Sequence, residues 1–212
     1  MKWWSHFWRG SAEELQEPIR RVRLGLPGWT EGTPTKGMRM WRDSDGDVLT
    51  LAISSEPFRH ADDADEREIR NWCREFARSN GGGLIEAFAV NDGIKFIFKR
   101  LQIPAYIYSG ILITHVRELW LMWTTTSTER GITGVREAVV TSTLLRAGKL
   151  LPDEYEQRWG QDPYEPSYRD ADRSLLRFMS DDDSYDQQFP QHPLSKVRRT
   201  LATLAKHAEY DS

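Results

Sequence analysis

Chemistry needs particular side chains at particular spacings, and this chain offers few such sets. Five histidines are scattered along it, His6, His60, His115, His192 and His207. None stands in a recognisable motif with the Ser, Cys or Thr and the acid of a nucleophilic triad, and no G-x-S-x-G elbow occurs. His115, near a strand end, is the one histidine placed where a site can form. Cys73 is the only cysteine, which excludes a disulfide framework and a cysteine zinc site; on an apolar helix face it reads as a small core residue. Gly81-Gly82-Gly83 follow a helix and precede a strand, whereas a phosphate loop needs strand, glycines, then helix N-terminus. The basic cluster Arg20, Arg21 and Arg23 has no phosphate-loop glycines beside it. Asp43-Ser44-Asp45-Gly46-Asp47 is calcium-like in composition, but the twelfth position counted from Asp43 is Ser54 where a bidentate Glu is required. Asp181-Asp182-Asp183 reads as a turn or helix start, and Thr124–Thr128 as a polar strand end. No catalytic residue, metal site or cofactor is therefore expected.

The elements that would position any site are clearer. At 212 residues, with 39% hydrophobic and 29% charged residues, the chain is expected to be globular. A formal net charge of -3 and the lack of a recognisable nucleic-acid module argue against a nucleic-acid partner. No apolar run reaches the roughly 18 residues of a membrane span, so no integral membrane segment is expected. With no signal-peptide pattern, the expected location is cytoplasmic.

The organising stretch runs from Asp63 to Val90. Asp62 or Asp63 caps a helix, and Asp65, Glu66 and Glu68 complement its dipole. Ile69, Trp72, Cys73, Phe76 and Ala77 make one buried face, and Asn80-Gly81 stops it. Strands are expected before it at Met38–Arg42 and Val48–Ser54. After it come Leu84–Val90, Ile94–Leu101, Tyr106–Val116 and Leu119–Thr128. The last has apolar bulk on both faces (Trp120 and Met122, Leu121 and Trp123), as a central strand covered on both sides requires. A second helix, Gly131–Leu145, should pack on the sheet through Val135, Ala138, Val139, Ser142 and Leu145. Asp153–Trp159 reads as a short helix, and residues 160–192 as an irregular wrap. Pro193 opens a final amphipathic helix with Leu194, Val197, Leu201 and Leu204 on one face.

The Leu26-Pro27-x-Trp29 start, the acidic-glycine hairpin, the helix, the strand meander and the closing helix together resemble the PsbP-like superfamily over about residues 20–148. That group takes in a Ran-binding nuclear import factor and DcrB-like bacterial proteins. The resemblance implies an α+β fold, an antiparallel sheet covered by helices on both faces. It also implies a role in partner binding or as an accessory subunit, without shared enzymatic chemistry. No family site residue maps onto this chain. The expected organisation is an N-terminal arm over 1–19, an α+β sandwich over 20–148, and an extension over 149–212 that packs on it.

Two functions compete. The first is a non-catalytic interaction or accessory protein, binding an unknown protein partner or a second copy of itself. Its site would be the aromatic arm Trp3, Trp4, Phe7 and Trp8. The second is a small-ligand-binding protein or enzyme, with a pocket between sheet and central helix lined by Tyr106, Tyr108, His115 and Trp123. A closed core favours the first; a deep pocket with convergent polar groups favours the second.

Overall fold

The computed structural model describes residues 19–34, 37–54, 65–90, 93–168 and 172–210. The aromatic arm Trp3, Trp4, Phe7 and Trp8 lies outside them. Val22–Leu24 (β1), Trp29–Glu31 (β2), Met38–Asp43 (β3) and Val48–Ser54 (β4) lead in. Helix α1, Glu66–Ser79, follows, and then Gly83–Val90 (β5), Gly93–Gln102 (β6), Ala105–Val116 (β7) and Leu119–Thr128 (β8). Every pairing is antiparallel, and the main sheet has the order β2-β3-β4-β8-β7-β6-β5. Strand β8, two-sided in its apolar pattern, is the fourth of seven.

Helix α1 covers one face of this sheet. Ile69, Cys73 and Ala77 are buried against Phe96, Phe98, Ile111, Ile113 and Met122, with Trp72 and Phe76 packed alongside. Its cap is Asp65, whose carboxylate accepts the Glu68 N–H at 2.8 Å. Asp62 and Asp63, the caps expected from sequence, lie outside the described residues.

The other face belongs to a helix from the far end of the chain. Helix α2 spans Val135–Arg146, and helix α3 spans Pro193–His207. Leu194, Val197, Leu201 and Leu204 of α3 are buried on Leu49, Leu51, Ile85, Ile97, Leu112 and Trp123. At about 1.5–3 kcal/mol per buried aliphatic side chain, these four contribute roughly 6–12 kcal/mol of gross stabilisation. The helix comes close because β7 carries Gly110 beneath it. A Cβ there would stand 2.5 Å from Val197 Cγ1 and 2.7 Å from Leu201 Cδ1. The fold is thus an α+β sandwich, with an antiparallel sheet between helices.

Helix α2 departs from expectation. Its inward residues are Arg136, Val140 and Leu144, not Val135, Ala138, Val139, Ser142 and Leu145. Val140 and Leu144 pack with Leu150, Trp159 and Phe178 beside the sandwich. Two causes set this rotation. The sheet face that α2 would have covered is occupied by α3, and Arg136 finds four hydrogen-bond acceptors inside.

The segment after α2 secures the sheet's last strand. The Tyr164 hydroxyl donates to Ala87 O at 2.8 Å and accepts the Ala87 N–H at 2.6 Å, covering the free edge of β5. Arg74 of α1 holds Asp162 through two hydrogen bonds of 2.9 and 3.0 Å. No helix among the described residues is long and apolar enough to cross a membrane.

Candidate functional site

Cross-strand register lines up a polar row at one end of the α3 face. Lys99 of β6 pairs with Tyr108 of β7, and Tyr108 pairs with Ser127 of β8. Lys99 and Tyr108 are fully buried. The Lys99 ammonium lies 2.8 Å from Asp181 Oδ2 and 3.1 Å over the Phe178 ring centre. Burial holds its pKa below the ordinary lysine value, even with Asp181 and the more distant Glu137 and Glu129 pulling the other way. Burial also pushes both phenols up, Tyr106 to about 12 and Tyr108 well above its usual value. Lys99 and Tyr108 have no solvent access, and the Lys99 amine is paired with Asp181, so neither is presented to a substrate from outside.

Where β8 ends, Glu129 turns back on the sheet. Its Oε2 accepts the Tyr106 N–H and its Oε1 the Gly134 N–H, both at 3.1 Å. Gly134 precedes α2 with φ +74°, a conformation that suits glycine. At the second residue of α2, Arg136 points inward. Its Nε donates to Ser180 O at 2.6 Å and its Nη2 to Asp182 O at 2.8 Å. Its Nη1 donates to Asp186 Oδ1 and Ser195 Oγ, both at 2.9 Å. This one side chain ties α2 to the 180–186 turns and to α3, and leaves the neighbouring Glu137 facing the same interior.

His192, immediately before α3, completes the group. Its Nδ1 accepts the Leu194 N–H at 3.3 Å, and its ring meets Tyr108 edge to face with centres 5.2 Å apart. Its Nε2 stands 3.7 Å from Glu129 Oε1 and 3.9 Å from Glu137 Oε1. Glu129, Glu137 and His192 each offer one ligand atom, all within 4.8 Å of one another. Burial raises the Glu137 pKa. Glu129 shifts the other way: burial would raise it, but the nearby His192 imidazole and the Tyr106 and Gly134 N–H groups outweigh that and lower it. Both Glu137 oxygens, His192 Nε2 and the Tyr108 hydroxyl are buried without a hydrogen-bond partner among the described residues. Glu129 and His192 line a cleft of about 520 Å³, and Ile132 and Val135 form part of its apolar wall.

The pocket residues expected from sequence are divided between the two faces. Tyr106, Tyr108 and Trp123 lie on the α3 side, with Tyr106 and Tyr108 rings 6.3 Å apart. His115 lies on the α1 side, exposed and stacked on Trp120 at 4.5 Å. The space between sheet and α1 is filled by Phe76, Phe96 and Phe98 in mutual ring contact. Glu129, Glu137 and His192 gave no signal in the sequence, since His192 is distant from the two glutamates along the chain and no metal-ligand spacing joins them. Lys99 did give one, as a lysine on a strand with apolar bulk on both faces.

No family model matches the chain, and no curated protein matches it. Among solved structures, the Ran-binding protein Mog1p of Saccharomyces cerevisiae is similar at 8% identity and a TM-score of 0.38, over 62% of this chain and 80% of that one. An uncharacterised protein from Bacillus thuringiensis is similar at 11% identity and a TM-score of 0.17, over 66% of this chain and 85% of that one. These likenesses assign no partner and no site residue.

Proposed function

We propose that this chain is a non-catalytic interaction or accessory protein that meets a protein partner on the outer face of α2. The observation that carries this reading is the rotation of α2. With Arg136 turned inward, an apolar strip faces solvent: Ile132 is 86% exposed, Val135 44% and Val139 38%. Exposed Arg130 lines the same cleft as Ile132 and Val135, and exposed Arg146 lies in the last turn of α2. A partner with an apolar knob and an acidic rim fits such a strip, and contiguous exposed apolar surface is where proteins associate. The buried polar row behind it supports binding over catalysis, because Lys99 and Tyr108 are closed off from solvent.

The test is capture of a partner from the host's lysate, with full-length wild type, the Val135→Glu/Val139→Glu double variant, and a form lacking residues 1–10 as baits. Both valines are exposed, so the double variant should fold normally. Capture by wild type and loss with the double variant would support the reading. Equal capture by both would refute it. Loss only with the shortened form would place the contact on Trp3, Trp4, Phe7 and Trp8 instead. A second reading, a small ligand in the cleft, draws support from the unpartnered polar groups beside it.

A further inference from the structure

We propose that Glu129, Glu137 and His192 form a binding site for one divalent first-row transition-metal ion, of the Zn²⁺ or Mn²⁺ class. This goes beyond the partner reading and does not rest on it. The spacing is the first argument. His192 Nε2 is 3.7 Å from one carboxylate and 3.9 Å from the other. Those gaps lie beyond about 3.5 Å, too long for a hydrogen bond. Donors about 2.1 Å from a tetrahedral ion sit about 3.4 Å apart, so a shift of a few tenths of an ångström completes the set.

The unpartnered atoms are the second argument. The His192 side chain is only 8% exposed, and its Nε2 and both Glu137 oxygens have no hydrogen-bond partner among the described residues. Folded proteins rarely leave buried polar atoms in that state, and an unplaced ion is one standard explanation. Three such atoms on two residues converge on one point. Glu129, by contrast, is fixed by the N–H groups of Tyr106 and Gly134, the kind of outer support that orients a metal-binding carboxylate. The cleft beside Glu129 and His192 gives the ion a way in and room for water to complete its coordination.

The donor set narrows the ion. One imidazole and two carboxylates suit zinc, manganese or their neighbours; calcium requires six to eight oxygens, and soft cuprous ion prefers sulfur. Ligation also has a local consequence. The neutral imidazole now accepts the Leu194 N–H on Nδ1, which leaves its proton on Nε2. An ion on Nε2 moves that proton to Nδ1, and the bond from Leu194 is lost. The Leu194 amide therefore reports on ligation of His192.

The experiment uses the tag-free full chain, stripped with chelator, titrated by calorimetry with zinc chloride and with manganese chloride, and followed by amide NMR. The expected result is one ion per chain for at least one metal, with a shifted Leu194 resonance. Glu137→Gln and His192→Gln should each weaken binding at least tenfold. Glu137→Gln puts a neutral isostere in a buried position, and its thermal midpoint without metal checks that it is folded. No saturable uptake of either metal would mean a proton-sharing cluster only, and would overturn the proposal. So would uptake that both substitutions leave unchanged, or uptake that leaves the Leu194 amide unmoved.

Discussion

Replacing Lys99 with Met should cost this protein about 3–5 kcal/mol, more than the loss of one hydrogen bond suggests. Methionine keeps most of the stem's volume, so packing changes little. What changes is Asp181. Neither side chain of the pair is exposed to solvent, and the Lys99 Nζ–Asp181 Oδ2 distance is 2.8 Å. That oxygen also accepts the Phe178 N–H at 2.8 Å, while Asp181 Oδ1 has no hydrogen-bond partner among the described residues. Without the ammonium, the carboxylate keeps one backbone donor and is otherwise an uncompensated buried charge. Asp181→Asn strands the ammonium instead and should cost a similar amount. The double variant strands neither charge, so its loss should fall short of the two single losses added together by at least about 2 kcal/mol. Urea unfolding of the four proteins measures this directly. A Lys99→Met loss under about 1 kcal/mol, or strict additivity in the double variant, would refute the argument that the pair matters through the cost of breaking it.

Gly110→Ala should destabilise by about 1–3 kcal/mol, because the new methyl meets Val197 and Leu201 at less than contact distance. Adding Val197→Ala should recover part of that, and an unchanged urea midpoint for Gly110→Ala alone would show that α3 has slack over β7. Glu31→Gln should alter the acid limb of the stability curve. The Arg39 hydrogen bonds, 2.7 Å from Nε and 2.8 Å from Nη2, hold the Glu31 pKa below its ordinary 4.5. A lowered folded pKa gives stability that is present above 4.5 and is lost as pH falls through the folded value. The variant should therefore be less stable than wild type at neutral pH and equal to it in strong acid. Thermal midpoints across that range check this, and parallel curves would count against it.

The strands were legible because their signals are local. Leu119–Thr128 announced its central place by carrying Trp120 and Met122 on one face and Leu121 and Trp123 on the other, and β8 has the same bounds. Helix α1 was legible from Ile69, Cys73 and Ala77, which are all buried. Helix α2 was not. Its sequence supports two faces, and what selects between them is tertiary: α3 on the sheet, and acceptors for Arg136 at Ser180, Asp182, Asp186 and Ser195. The candidate site failed to show for a related reason. Glu129, Glu137 and His192 meet only because β8, α2 and the start of α3 converge, and nothing in the residues around any one of them records the other two.

The place of α3 in chain order has a consequence for how the protein is made. Strand β8 ends at Thr128, and α3 runs from Pro193 to His207. A chain on the ribosome therefore finishes all seven strands on the order of ten seconds before the helix that covers one of their faces is synthesised, at typical elongation rates. Throughout that interval Leu49, Leu51, Leu112 and Trp123 have no α3 above them. The nascent protein must either hold its sheet loosely until α3 arrives or be shielded by a chaperone. Ribosomes that pause between Thr128 and Pro193 would lengthen the period in which aggregation competes with folding.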